Sequence, residues 1–378
     1  MDLGLSEIQH MLKTSAQDFL SRECPLTLVR DMEEDSQGFT DDLWRQMVGL
    51  GWTGVAFPEQ YGGTGGNFAD LGVLLEEIGR SLAPSPLFST VVLGGMTVLD
   101  AGSDAQKDEL ISRICAGTII MTMAVTEDSA TFEPWGIEAT ANEQGGGYEI
   151  TGTKLFVPDA EAADVIIVVA RTSSGYDSAD GISLFLVPSG TNGLNISPMQ
   201  SIGNERVYEV RLDKVYVPEN AVLGSVGEGW PIVEQSIMRA TAAQCIEMLG
   251  GAEAVLDMTV EYAKGRTQFG RAIGSFQAVQ HHCARMATDV EGSKNIAYQA
   301  VWRLSEGLPA QKEVAMAKAW IGPAYRRVCG TAHQCHGAIG FTKEHDLQLY
   351  TRRAKVHELT YGDANHHKEV AFRHLDDD

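Results

Sequence analysis

The hydrophobic period of this chain changes twice, and that limits the fold more than any other feature. Residues 1 to about 117 carry apolar residues at helical spacing. "SEIQHMLKTSAQDFLSREC" sets Ile8, Met11, Leu12, Ala16, Phe19 and Leu20 on one stripe behind an N-cap at Ser6. "TDDLWRQMVGLGW" opens on a second cap, Thr40, and "NFADLGVLLEEIGRSLA" is a third apolar-faced helix. Between them "FPEQYGGTGG", Phe57 to Gly66, reads as a loop. From 118 to about 225 the pattern becomes short runs rich in Val, Ile and Tyr, punctuated by Gly, Pro and Asn: "GTIIMTMAVTE", "GGYEITGTKLFVP", "ADVIIVVART", "GISLFLVP", "YEVRLDKVYVP". From 226 onward the helical period returns. "GWPIVEQSIMRATAAQCIEMLGGAEAVLDMTVEYAKG" is one long pattern, and more follow through 275–305, 309–335 and 343–374.

The expected fold is therefore α+β and multidomain. It has an N-terminal helical domain (1–117), a middle β domain of barrel or sandwich type (118–225) and a C-terminal antiparallel helical bundle (226–378). A length of 378 residues fits two or three domains. The order helices, strands, helices excludes a doubly wound dinucleotide fold, and no GxGxxG follows a strand and opens a helix.

Charge narrows the partners. Lys and Arg number 29 against 51 Asp and Glu, a net charge of −22. Nucleic acid and anionic membrane surfaces need basic patches and are not expected partners. An anionic ligand needs a local positive site. No run of eighteen apolar residues suggests a membrane span, and "MDLGLSEIQHMLK" does not read as a secretory signal. The six scattered cysteines (24, 115, 245, 283, 329, 335) read as free thiols of a reducing compartment, so a cytoplasmic location is expected. The histidines lack HExxH spacing, and no metal is expected.

Two segments carry chemistry at positions where a plain connection would suffice. "GRTQFGRAIGSFQAVQHH" (265–282) reads as a turn between helices that presents Arg266, Gln268 and Phe269, with Gln277 one turn into the following helix. Arginine forks onto a diphosphate, and phenylalanine packs on a planar ring. Taken alone, such a turn is more often a solvated interhelical connection. "HQCHGAIGFTKEHDLQLYTRRAK" (333–355) breaks a helix at Gly337 and Gly340, which lets a ligand approach the backbone.

Taken in order, "GVAFPEQYGGTGG", the strand-end "VTE", "GTKLFVP" with "ADVIIVVAR", "VYVPENAVLGSVGEGW", "RTQFGRAIGSFQAVQ" and "QCHGAIGFT" resemble the acyl-CoA dehydrogenase family over essentially the whole chain. The resemblance implies an FAD-dependent oxidoreductase of acyl-CoA thioesters, active in fatty acid or steroid side-chain metabolism. A base removes the α-proton while the flavin accepts the β-hydride. It implies that Val125, Thr126, Phe156 and Val157 meet the flavin. It also implies that Arg266, Gln268, Phe269, Gln277, Gln334, Gly337 and Gly340 face the FAD of a neighbouring subunit, with Asp363 and Asn365 also at a cofactor site. Phe132, Ile237, Ala240 and Thr241 fall at substrate positions. The implied partners are an acyl-CoA, an electron-transfer flavoprotein or similar acceptor, and further subunits in a homodimer, homotetramer or heterotetramer.

The departures from the pattern concern the chemistry. The family's T-E-P-G-x-G-S-D loop is here Thr126 to Glu133, with Phe132 at the serine position. The family's W-I-T is Phe156-Val157-Pro158, so a hydroxyl and an N–H are lost at Pro158. The usual catalytic glutamate, in Y-E-G-T, aligns with Tyr361, and the less common position on the long helix aligns with Ala240, beside Arg239. Tyrosine, with an ordinary pKa of about 10, is a poor base at neutral pH. Tyr361 and Asp363 remain the catalytic candidates, with Glu127, Asp128, Glu133, His366 and His367 as further groups in nearby segments. Asp363 also reads as the N-cap of the last helix. Three functions stay open: a dehydrogenase with a non-standard base, a subunit of a heteromeric dehydrogenase whose partner supplies the base, and a non-catalytic homologue that binds acyl-CoA or a partner. Flavin chemistry without a base is a further option.

Overall fold

The computed structural model describes residues 4–173 and 179–376. They form two compact units, each built from separated stretches of chain. One contains Met1–Asp31, Asn67–Ala83 and Thr241–Asp378; the other contains Met32–Gly66 and Pro84–Ala240.

The N-terminal third is helical: α1 (Glu7–Glu23), α2 (Leu26–Glu34), α3 (Asp41–Gly49), α4 (Phe68–Ser81), a π-helical stretch Phe88–Gly95 that continues into α5 (Met96–Ala101), and α6 (Asp104–Cys115). Ser6 starts α1 with a capping box, its hydroxyl accepting from the Gln9 amide while the Gln9 side chain accepts from the Ser6 amide. Thr40 caps α3 by accepting from the Leu43 amide at 3.1 Å. The stripe expected on α1 is buried only in its second half. Ala16, Phe19 and Leu20 are enclosed, whereas Ile8 and Met11 are 74% and 67% exposed. The Phe57–Gly66 loop contains one 3-10 turn, Glu59–Tyr61.

The strands are β1 (Met121–Ala124), β2 (Thr140–Gln144), β3 (Gly147–Pro158), β4 (Val165–Arg171), β5 (Ile182–Pro188), β6 (Leu194–Met199), β7 (Val207–Pro218) and β8 (Val222–Leu223). They form one mixed sheet in the order β6-β7-β3-β2-β4-β5-β8, with β1 parallel to β4. Alternating residues of these strands, among them Ile150, Ile166, Val168, Phe185, Val210 and Val217, share one apolar core. Against β7, the register of β3 shifts between Lys154 and Val157, a bulge that places Phe156 at φ 55°.

The C-terminal part contains α7 (Trp230–Gly265), a short hairpin β9 (Thr267–Gln268) and β10 (Arg271–Ala272), α8 (Gln277–Ser305), α9 (Gln311–His336), α10 (Leu347–Leu359) and α11 (Ala364–Arg373). Helix α9 packs against α8, α10 and α11. Helices α4 and α7 cross backbone to backbone at Gly79 and Gly250. A Cβ on Gly79 would lie 2.0 Å from the Glu247 carbonyl oxygen, and one on Gly250 would lie 1.8 Å from that of Glu76. Among the described residues no helix is long and apolar enough to cross a membrane, no acidic, histidine or cysteine group could hold a metal, and all six cysteines are free.

Candidate active site

In the β unit, the segment that leaves β1 is tied to β3 from two directions. Lys154, fully buried on β3, donates to the Val125 carbonyl at 3.2 Å and to Glu127 Oε1 at 2.5 Å. The Leu155 amide donates to the Thr126 carbonyl at 2.8 Å. Glu127 is itself saturated, for its Oε2 accepts from the amides of Glu138 and Ala139 at 3.0 and 3.1 Å. Burial pushes the Lys154 ammonium below its usual range, and Glu127 opposes the shift. The ion pair thus fixes Val125 and Thr126 beside the bulge that presents Phe156, while Val157 turns into the core. Phe156 is 54% exposed in a left-handed conformation. Glu127 is committed to this scaffold and is not a free base. Asp128 is exposed, and Phe132 is half-buried in the loop that follows. On α7, Ala240 and Thr241 are buried and Ile237 is partly so; Arg239 ion-pairs with Asp100.

In the bundle unit, the β9–β10 hairpin holds Phe269 at its tip with φ 53° and 91% exposure. Arg266 and Gln268 are exposed beside it. Among the described residues the Arg266 guanidinium makes no hydrogen bond or ion pair. Gln277 is the first residue of α8, not one turn inside it as expected, because a separate 3-10 turn, Ile273–Ser275, and an extended Phe276 precede the helix. It is exposed and near the hairpin in sequence. The end of α9 comes to the same end of the bundle. Tyr262, near the end of α7, stacks on His336 with ring centroids 4.4 Å apart and donates to the His336 carbonyl at 3.4 Å. Gln334 and Gly337 are exposed there, and Gly340 is the buried residue of a 3-10 turn, Gly337–Phe341.

The turn after α10 lies elsewhere. Tyr361 has φ 58° and Gly362 has φ 100°. A Cβ on Gly362 would lie 2.5 Å from His366 Cδ2, so only glycine fits. Asp363 Oδ1 accepts from the amides of Asn365 and His366 at 3.0 and 2.9 Å, which makes it the N-cap of α11. His367 Nε2 donates to the Tyr361 carbonyl at 2.8 Å. Burial pushes the His367 pKa down to about 4, so the ring is neutral at physiological pH. His366 meets His367 edge-on with centroids 5.0 Å apart. Beneath the turn, Lys318 of α9 donates to the Thr360 carbonyl at 2.7 Å. From Lys318 to His336, α9 runs eighteen residues, roughly 27 Å at 1.5 Å per residue. Within one chain, the Tyr361 turn and the Phe269–Gln334 end therefore lie far apart.

Family models for the acyl-CoA dehydrogenase N-terminal, middle and C-terminal domains match residues 6–118, 122–215 and 227–375. The probable acyl-CoA dehydrogenase YngJ of Bacillus subtilis (strain 168) is 30% identical over 380 residues, covering 99% of this chain and 100% of that one. The chain belongs to the acyl-CoA dehydrogenase family. The butyryl-CoA dehydrogenase of Megasphaera elsdenii has the same fold, with a TM-score of 0.92 at 28% identity over 99% of this chain and 100% of that one. A chain from the ChsE4-ChsE5 complex of Mycobacterium tuberculosis matches with a TM-score of 0.90 at 29% identity, each chain covered in full.

Acyl-CoA dehydrogenases are FAD-dependent flavoprotein oxidoreductases, and the residues present fit that cofactor. An unpaired guanidinium on a chain of net charge −22 suits a diphosphate, and the exposed Phe269 and Phe156 suit a planar ring. Among the described residues, eight non-glycine residues have positive φ; the aromatic ones are Phe156, Phe269 and Tyr361. Strained backbone of this kind costs about 1–3 kcal/mol per residue and gathers at functional sites. Lys154 ties down the Val125–Thr126 segment, and Lys318, Gln244 and His367 hold the Tyr361 turn; these roles were not read from the sequence. The one available signal was a lysine inside an otherwise apolar run, as in "EVAMAKAW".

Proposed function

We propose that the chain is one subunit of a heteromeric acyl-CoA dehydrogenase. It supplies flavin-binding surface, and a homologous subunit supplies the carboxylate that takes the α-proton of an acyl-CoA thioester. The carrying observation is the state of the carboxylates. The two usual base positions hold Tyr361 and Ala240, Glu127 is locked to Lys154, and Asp363 caps α11. The separation of about 27 Å along α9 supports residues 266–277 and 334–340 serving a different cofactor from the Tyr361 turn, hence a multimeric assembly. A complex of two named proteins among the structural relatives agrees with this reading.

In this reading Arg266 pairs with the diphosphate of a neighbouring subunit's FAD and Phe269 covers its edge. Phe156 packs on the flavin at the chain's own β unit, where Lys154 keeps the Val125–Thr126 backbone in place. Bound FAD supplies the two-electron acceptor, which an electron-transfer flavoprotein or similar protein then reoxidises. Charge-assisted hydrogen bonds contribute about 1.5–3 kcal/mol. Arg266→Ala in the assembled protein is therefore expected to raise the FAD dissociation constant about 10- to 100-fold, measured by equilibrium dialysis. An unchanged constant rules out the placement of this turn on the cofactor.

A further inference from the structure

The ammonium of Lys318 is 1% exposed and donates to three acceptors: Gln244 Oε1 on α7 at 2.8 Å, the His357 carbonyl, and the Thr360 carbonyl at 2.7 Å. Among the described residues no carboxylate lies within ion-pair distance of it. Its charge is met by carbonyls at the C-terminus of α10, where the helix dipole favours a cation. The residues that follow form the turn at Tyr361 and Gly362, and His367 holds the Tyr361 carbonyl from the other side. Three carbonyl acceptors use all three N–H groups of an ammonium, and a neutral amine has only two.

We infer that Lys318 is a positioning residue of the candidate active site, clamping the end of α10 so that the side chain at position 361 leaves the turn in one direction. This rests on the Tyr361 turn facing substrate. The titratable groups around Lys318 are Cys245 on α7, His357 and Glu358 on α10, and Asp363 and His367 beyond it. The Cys245 thiol is pushed up to about 12, and both His357 and His367 are held neutral by burial. Glu358 is engaged by Arg326 and Lys355. Burial pushes Lys318 itself down to about 8 from 10.5, against which the three acceptors hold it in place.

The test is amide hydrogen exchange of the full-length chain, read on peptides covering residues 356–366. Lys318→Met is expected to speed exchange there about 10-fold or more while strand β4 of the sheet stays unchanged. Gln244→Met keeps the lysine but removes one of its acceptors, and it serves if Lys318→Met does not fold; it is expected to speed exchange in the same peptide. Unchanged exchange in residues 356–366, or a uniform rise in every peptide, overturns the inference whatever the reaction is. In a Tyr361→Glu background, Lys318→Met is expected to lower kcat at constant KM. If exchange responds but Tyr361→Glu gains no activity, the clamp stands and the placement of the turn on substrate fails.

Discussion

A Tyr361→Glu variant, loaded with FAD, is expected to be reduced by an acyl-CoA at least about 10²-fold faster than the native chain, since a positioned general base contributes about 10²–10⁴-fold. A tyrosine with an ordinary pKa of about 10 is almost entirely protonated at neutral pH and takes no α-proton. The comparison is clean because the backbone is common to both chains. Thr360 is held by Lys318, the Tyr361 carbonyl is held by His367, and residue 361 sits at φ 58°. A glutamate there carries the same left-handed cost, about 1–2 kcal/mol, as the tyrosine it replaces. Tyr361→Phe is the control and should leave the native rate unchanged. Anaerobic stopped-flow decay of flavin absorbance reads all three. Equal rates for tyrosine and glutamate would show that position 361 does not face the substrate α-carbon.

Lys154→Met is expected to cost about 3–5 kcal/mol of stability, the range for breaking a buried ion pair by removing one partner. Glu127 would keep its bonds to the amides of Glu138 and Ala139 but lose its ion-pair partner, and Lys154 is fully enclosed. The Val125 carbonyl loses its donor as well, which loosens the segment proposed to meet the flavin. Adding Glu127→Gln removes the stranded charge and should restore part of the loss. Urea denaturation of both single variants and the double variant measures this coupling. A cost below about 1 kcal/mol for Lys154→Met would mean that the pair does not hold this corner of the sheet.

The parts of the structure that follow from local rules were legible in the sequence. Ser6, Thr40 and Asp363 each cap a helix, and the helical runs after residue 226 end close to where glycine or a turn signal stops them. The strands with apolar runs were visible for the same reason. Strand β2 was not, because "TANEQ" lies half in solvent and carries no apolar run. Strand β6 is largely exposed and contains Pro198. Ile8 and Met11 continue the apolar pattern on an exposed face of α1, while Gln9 and Lys13 of the same turns reach Asp70 and Glu76 on α4. The site was legible only as a set of positions. The conformations at three of those positions, Phe156, Phe269 and Tyr361 at positive φ, depend on a bulge, a hairpin tip and a turn that local patterns do not reveal. The buried lysines escaped because a lysine in an amphipathic pattern reads as solvated, and only tertiary contact reveals the carbonyls it holds.

The most direct test of the heteromeric reading is an anaerobic titration of the FAD-loaded chain with acyl-CoA thioesters of several chain lengths, alone and then with a homologous subunit that carries the glutamate. Expected is a chain that stays yellow alone and loses its flavin absorbance only in the mixed assembly. Bleaching of the chain on its own, at a rate similar to that of the assembly, would show that it already holds a competent base.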